Sequence, residues 1–257
     1  MSRVWKYGKF VLTLGVLAML IWILDIRELR DALQSADYRF VALASVSVPV
    51  WIALKALKWH LLLRSFWSDG SFSLALKSFL CGFSFGVLTP GKVGELSRVF
   101  SLPYHDRSRG VSLVIIDRYC DLVALLFLSV FGVTHFTGFA YGSLVLFAGV
   151  GAGILFFLSR FLLEQLPSWS SFATLNNLLD RLRKNPRIKA TVFLKVLLLS
   201  LCSFLVSVAT SFSLLLAFHE LRLLDALAVF PLTLLTNVLP ITIGNLGIRE
   251  GATIYLL

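Results

Sequence analysis

Apolar residues run through this chain in long blocks separated by short polar stretches. A helix needs roughly 20 apolar residues to cross a hydrocarbon core of about 30 Å. Blocks over residues 7–24, 40–57, 111–133, 139–158 and 191–217 approach or meet that length and predict spanning helices. They are continuously apolar instead of alternating with period two, which argues against a β-barrel. A shorter block, 74–88, runs into "GVLTPGKVGELSRVF", where a Pro, three Gly, a Lys, a Glu and an Arg crowd into residues 86–100. A second interrupted region closes the chain, "AVFPLTLLTNVLPITIGNLGIREGATIYLL", broken at Pro231, Pro240, Gly244 and Gly247. The pattern predicts an all-α, polytopic helical membrane protein with two re-entrant, broken-helix hairpins. Residues 1–257 form one transmembrane domain.

Two stretches have helical spacing without spanning character. Residues 25–38 place Ile26, Leu29 and Leu33 on one face and are expected to lie along the membrane interface. Residues 159–190 carry six Lys and Arg, a Trp, two Pro and apolar positions at Phe172, Leu175, Leu179 and Leu182. That composition predicts a basic amphipathic loop on the cytoplasmic surface, close to anionic headgroups.

Charge adds orientation. The chain has 24 Lys and Arg against 14 Asp and Glu. Cytoplasmic loops of membrane proteins carry such an excess, and no basic soluble region is present to suit nucleic acid. Arg3, Lys6 and Lys9 put the N-terminus in the cytoplasm, with no small-x-small cleavage site after the first block. Lys55 and Lys58 are read as snorkelling from the end of the 40–57 span. For the basic segments "HDRSR" and 159–190 to stay inside, residues 74–100 must enter and leave on the same side. A hairpin bent near Pro90 and Gly91 satisfies this. The apolar end of the chain at Leu257 reads either as a short last helix or as a truncated form of a longer architecture.

Enzyme chemistry finds little support. Cys81, Cys120 and Cys202 are far apart and form neither a disulfide framework nor a zinc motif. The four His are scattered, so no metal site is expected. Gly86-x-x-x-x-Gly91-Lys92 imitates a nucleotide loop but is followed by Val93 and lacks the strand such a loop requires. No cofactor is implied.

The two interrupted regions echo each other. Pro90, Gly94, Glu95, Leu96 and Arg98 match Pro240, Gly244, Asn245, Leu246 and Arg249 in order, with a one-residue shift. Paired broken segments of opposite orientation are a mark of inverted repeats in transporters, with the site between them. Irregular backbone at membrane depth survives only against protein or a water-filled cavity, so the hairpins are expected to line one. Between them, the otherwise apolar 111–133 block holds Asp117, Arg118 and Asp121. Each intramembrane charge costs at least about 2.5–3.5 kcal/mol on insertion scales. Arg118 and Asp121 either form a neutral pair that locks helices together, or Arg118 faces the cavity with Lys92, Arg98 and Arg249. In the second case Glu95, Asp117, Asp121 and Glu250 balance the charge, and Asn245 lines the cavity. The cations then suit a phosphate, because a guanidinium binds two oxygens at once.

"LTPGKVGELSRVF", "IIDRYCDLVALL" and "NVLPITIGNLGIREGA", in this order, resemble the transmembrane domain of lysylphosphatidylglycerol synthases. Stand-alone flippase-like bacterial membrane proteins share that domain. The resemblance covers about residue 74 to the end. It implies a protein of the bacterial inner membrane that handles phospholipid. The family's Pro-x-x-x-Gly-Glu and Arg fall on Pro90, Gly94, Glu95 and Arg98, its charged span element on Arg118 and Asp121, and its Gly-x-Arg-Glu on Gly247, Arg249 and Glu250. Lys92 stands where the family often has Arg, and Asn245 where it has Gly. No soluble aminoacyl-transferase region is present in these 257 residues, so lysyl transfer is not carried over. The leading expectation is a flippase-like protein, not an enzyme, that moves a phosphate-bearing phospho- or polyprenyl lipid between leaflets. Its partners are lipids with anionic headgroups, together with a membrane enzyme or further copies of the chain. Two alternatives are a non-transporting anchor for a lipid-modifying or glycosyl-transferring enzyme, and a lipid transferase with Glu95 or Asp117 as base.

Overall fold

The structure, a computed structural model, describes residues 26–89, 93–103, 107–165, 188–218, 221–235 and 248–256. Helices dominate, and no strand occurs among the described residues. In chain order they are α1 (Ile26–Ser35), α2 (Tyr38–Arg64), α3 (Phe72–Leu88), a 3-10 turn (Val93–Leu96), α4 (Ser97–Phe100), α5 (Arg107–Thr137), α6 (Phe139–Gln165), α7 (Ala190–Leu216), α8 (Leu223–Leu235) and α9 (Ile248–Leu256). By length and composition α2 and α7 are long and apolar enough to cross a membrane. The predicted 7–24 span, the Pro90–Gly91 bend, most of the basic loop and the Pro240–Gly247 segment lie outside the described residues.

Local chemistry accounts for the helix ends. Asp37, in extended backbone, caps α2 by accepting a hydrogen bond from the Arg39 N–H at 2.9 Å. Its own N–H donates to Ala217 O at 2.9 Å, tying the start of α2 to the end of α7. Ser71 caps α3 by accepting from the Leu74 N–H at 3.2 Å. Such caps satisfy donors that the first turn of a helix leaves without partners.

Three expectations need correction. Helix α2 continues through Arg64 instead of ending near residue 57, so Lys55 and Lys58 are interior positions, buried instead of snorkelling. Pro231 does not break the last region: it lies buried inside α8. A helix bound by its neighbours tolerates the one hydrogen bond that proline removes. Helix α6 runs on to Gln165, so the first residues of the 159–190 stretch belong to it.

Helix α5 is the hub, packing against α2, α4, α6, α7 and α8, while α2 lies along α7 and α3. Trp59, Leu62, Phe79, Val99, Leu113, Cys120 and Val196 form one apolar core between α2, α3, α4, α5 and α7. Leu125, Val208, Ala226 and Phe230 form a second between α5, α7 and α8.

After Leu88 the chain doubles back along α3. Thr89 Oγ1 donates to Phe85 O at 2.9 Å and accepts from the Gly94 N–H at 2.7 Å, clasping the two limbs. Farther down, Ser78 Oγ donates to Arg98 O at 2.8 Å. The closeness depends on missing side chains. A Cβ on Gly94 would run into the carbonyl of Phe85, and one on Gly82 would stand 2.9 Å from Arg98 Cβ and 3.0 Å from Glu95 O. Backbone contacts of this kind cannot yield as a flexible side chain can. Gly82→Ala is therefore expected to lower stability by about 1–3 kcal/mol, the usual cost of overpacking. Gly94→Ala should cost more, both read as thermal unfolding of the detergent-solubilised chain.

Candidate functional site

Seven charged side chains meet where α2, the 3-10 turn with α4, and α5 converge, with a serine from α7 beside them. Lys55 and Lys58 come from α2, Glu95 and Arg98 from the return limb, and Asp117, Arg118 and Asp121 from α5. Asp117 lies ten residues into α5, about 15 Å along it at 1.5 Å per residue. Charges at that depth must be placed against one another, because apolar surroundings offer no water to solvate them.

Lys58 Nζ lies 2.7 Å from Asp117 Oδ1 and 2.7 Å from Asp121 Oδ1. Lys55 Nζ reaches both oxygens of Asp121, at 2.9 and 3.0 Å, and lies 4.4 Å from the centre of the Phe204 ring. Ser200 of α7 donates to Asp121 Oδ1 at 2.9 Å. Arg98 donates to Asp117 Oδ2 at 2.9 Å and to Glu95 Oε2 at 3.1 Å. Its guanidinium lies 4.9 Å from the Trp59 ring centre and 5.6 Å from that of Phe79, within cation–π range. Trp59 in turn donates from Nε1 to Ser78 Oγ at 3.2 Å, so Arg98 is fixed at its backbone and at its head by connected groups.

Arg118 differs from the rest. Its Nη2 lies 2.5 Å from Glu95 Oε2, with Asp117 Oδ2 at 3.6 Å and Asp121 Oδ2 at 3.8 Å. The Arg118–Asp121 pair anticipated from spacing is thus the loosest of these contacts, because two lysines already occupy Asp121. The Arg118 side chain is 39% exposed, whereas those of Arg98 and Lys58 are each 1% exposed. Arg118 is thus the one member of the cluster with an exposed side chain, the other six being buried. Among the described residues the cluster holds four cations and three carboxylates, one positive charge in excess.

Sequence reasoning located Glu95, Arg98, Asp117, Arg118 and Asp121, and the structure brings them together. Gly94 lies at the limb contact. Lys92, Asn245, Pro90, Gly91, Pro240, Gly244 and Gly247 lie outside the described residues. Arg249 and Glu250 occupy the first turn of α9, with side chains outside what the structure describes. Lys55, Lys58 and Ser200 were missed as site residues. The spacing of the lysines, i and i+3, places both on one helix face. That matches the i and i+4 spacing of Asp117 and Asp121 on α5 and could have suggested a pairing. Ser200 carries no comparable signal. No group of three or more His, Cys, Asp or Glu able to hold a metal occurs among the described residues.

A family model described as "Lysylphosphatidylglycerol synthase TM region" matches residues 9–257. The chain belongs to this family. The match reaches well before the three motifs that carried the resemblance and takes in α2, whose lysines complete the cluster. Membership in the lysylphosphatidylglycerol synthase transmembrane family makes the chain a membrane protein of lipid metabolism or transport. No curated protein and no solved structure matches it.

Removing one member of a buried ion network strands its partners, at about 3–5 kcal/mol. Asp121→Asn should therefore lower the unfolding temperature sharply, since it leaves Lys55 and Lys58 short of a counter-charge. Adding Lys55→Met to that variant should restore part of the loss by removing one stranded cation. Calorimetry or tryptophan fluorescence on the purified chain reads both.

Proposed function

We propose that the chain is a flippase-like protein of the bacterial inner membrane, with its N-terminus in the cytoplasm, that carries a phosphate-bearing lipid between leaflets. The observation that carries this reading is Arg118: its side chain is 39% exposed, at the edge of an otherwise buried cluster that has one positive charge in excess among the described residues. Lipid headgroups on the bilayer side offer the phosphate that such a group binds best. In this reading Arg118 contacts the headgroup directly. Arg98 fixes the return limb, and Lys92 and Arg249 join from their own segments.

The doubled-back limb after α3 supports a re-entrant hairpin, held to α5 by Glu95 and Arg98. The sequence echo around Pro240 gives it a counterpart, and the two are proposed as an inverted repeat that tilts about the site. Glu95, Asp117 and Asp121 each face at least two cations. Carboxylates so engaged hold charge in place and make poor general bases, which favours carriage over catalysis. The acyl chains stay in the bilayer throughout, so only the headgroup has to cross through protein.

Reconstitution tests the proposal directly. Vesicles containing the chain should exchange a fluorescent phosphatidylglycerol between leaflets faster than protein-free vesicles. A charge-assisted hydrogen bond contributes about 1.5–3 kcal/mol, so Arg118→Ala should slow exchange by roughly tenfold or more. Lys77→Ala, at an exposed position on α3, should leave it unchanged. Equal rates for empty, wild-type and Arg118→Ala vesicles would remove the basis of this reading.

A further inference from the structure

Resting on the headgroup reading, we infer that Glu95 occupies the ligand's place at Arg118, and that an anionic headgroup binds by displacing it. Three features of the cluster point this way. The first is the unused capacity of the guanidinium. Glu95 meets Arg118 through a single oxygen, Oε2, and that same oxygen also accepts from Arg98. Arg118 Nη1 lies 3.8 Å from Asp121 Oδ2, too far for a hydrogen bond. Its Nε is buried with no hydrogen-bond partner among the described residues. A guanidinium presents paired N–H groups suited to two oxygens at once, and here the fork is only half used. A phosphate has the oxygens to fill it.

The second feature is where Glu95 stands. Of the three carboxylates it has no lysine partner, and it is carried on the short return limb instead of the long α5. It can leave Arg118 without leaving its other partner, because Arg98 lies beside it at 3.1 Å. Asp117 and Asp121 have no such latitude, each held by lysine from α2.

Charge is the third. With four cations and three carboxylates among the described residues, entry of one singly charged anion brings the cluster to neutrality while Glu95 stays ionised. The bound state therefore needs no companion ion at these residues. Displacement has a mechanical result as well. The return limb is linked to α5 by two charged contacts, Arg118 with Glu95 and Arg98 with Asp117. Once the first is exchanged for a ligand, the charged hold of α5 on the limb passes to Arg98 alone, and the limb gains freedom to shift over α3.

Equilibrium titration of the purified 257-residue chain in mixed micelles, with phosphatidylglycerol against phosphatidylcholine at fixed ionic strength, tests this. Glu95→Gln keeps the shape and removes the competing charge, so it should bind phosphatidylglycerol about tenfold more tightly than wild type. Adding Arg118→Met should abolish that gain. Wild-type binding with no gain, or a loss, in Glu95→Gln overturns the displacement and leaves the headgroup reading standing. Absence of binding by both wild type and Glu95→Gln overturns both. A measurement on the wild-type chain guards against a variant that fails to fold. Cys81 Sγ lies 3.9 Å from Ser97 Oγ on the return limb, so thiol labelling of Cys81 should rise severalfold with phosphatidylglycerol and not with phosphatidylcholine. Unchanged labelling in the presence of bound phosphatidylglycerol counts against the displacement.

Discussion

Seven charges gathered among packed apolar helices have to be satisfied chiefly by one another, and this requirement organises the protein. Water-to-interior transfer of an isolated ion is far more costly than any single helix contact can offset. Asp117 and Asp121 draw two lysines from α2, a serine from α7 and an arginine from the return limb to one place on α5. Helices that would otherwise slide along apolar faces are thereby given a register. The apolar cores on either side, around Trp59 and Phe79 and around Val208 and Phe230, then pack in the positions that the ions allow.

The same requirement explains the small residues of α3. A short limb carrying Glu95 and Arg98 has to lie between α3 and α5 for these side chains to reach their partners. Gly82 and Gly86 give it room: a Cβ on Gly86 would stand 2.6 Å from Glu95 Cγ, and one on Gly82 would crowd Arg98. Trp59 and Phe79 close the apolar side of Arg98 with their ring faces, so a charge is buried among aromatics at a tolerable cost. Small residues and aromatics thus both border Arg98, with Gly86 beside Glu95.

Much of this was legible in the residues. Block length gave the long helices, and the cluster of Pro, Gly and charge after Leu88 gave the place where α3 ends and the chain turns. Charges inside the 111–133 block marked α5 as the carrier of the site. The roles of Lys55 and Lys58 were not legible from α2 alone. A lysine one or two turns from a span end either snorkels outward or turns inward, and only the partner helix decides which. The preference of Arg118 for Glu95 over its i+3 neighbour Asp121 was hidden for the same reason: local spacing cannot register that lysines from elsewhere have taken Asp121. Pro231 shows the converse, a strong local signal overruled by burial inside a packed helix.

The hydroxyl of Thr89 has a wider meaning than a turn contact. By bridging Phe85 O and the Gly94 N–H it sets the separation of the two limbs from outside the intervening residues 90–92. The spacing of α3 and the return limb is thus fixed by groups that flank that segment. A single uncharged hydroxyl therefore couples the end of α3 to the limb that carries Glu95 and Arg98, so the placement of the charged centre is inherited in part from a side chain that bears no charge.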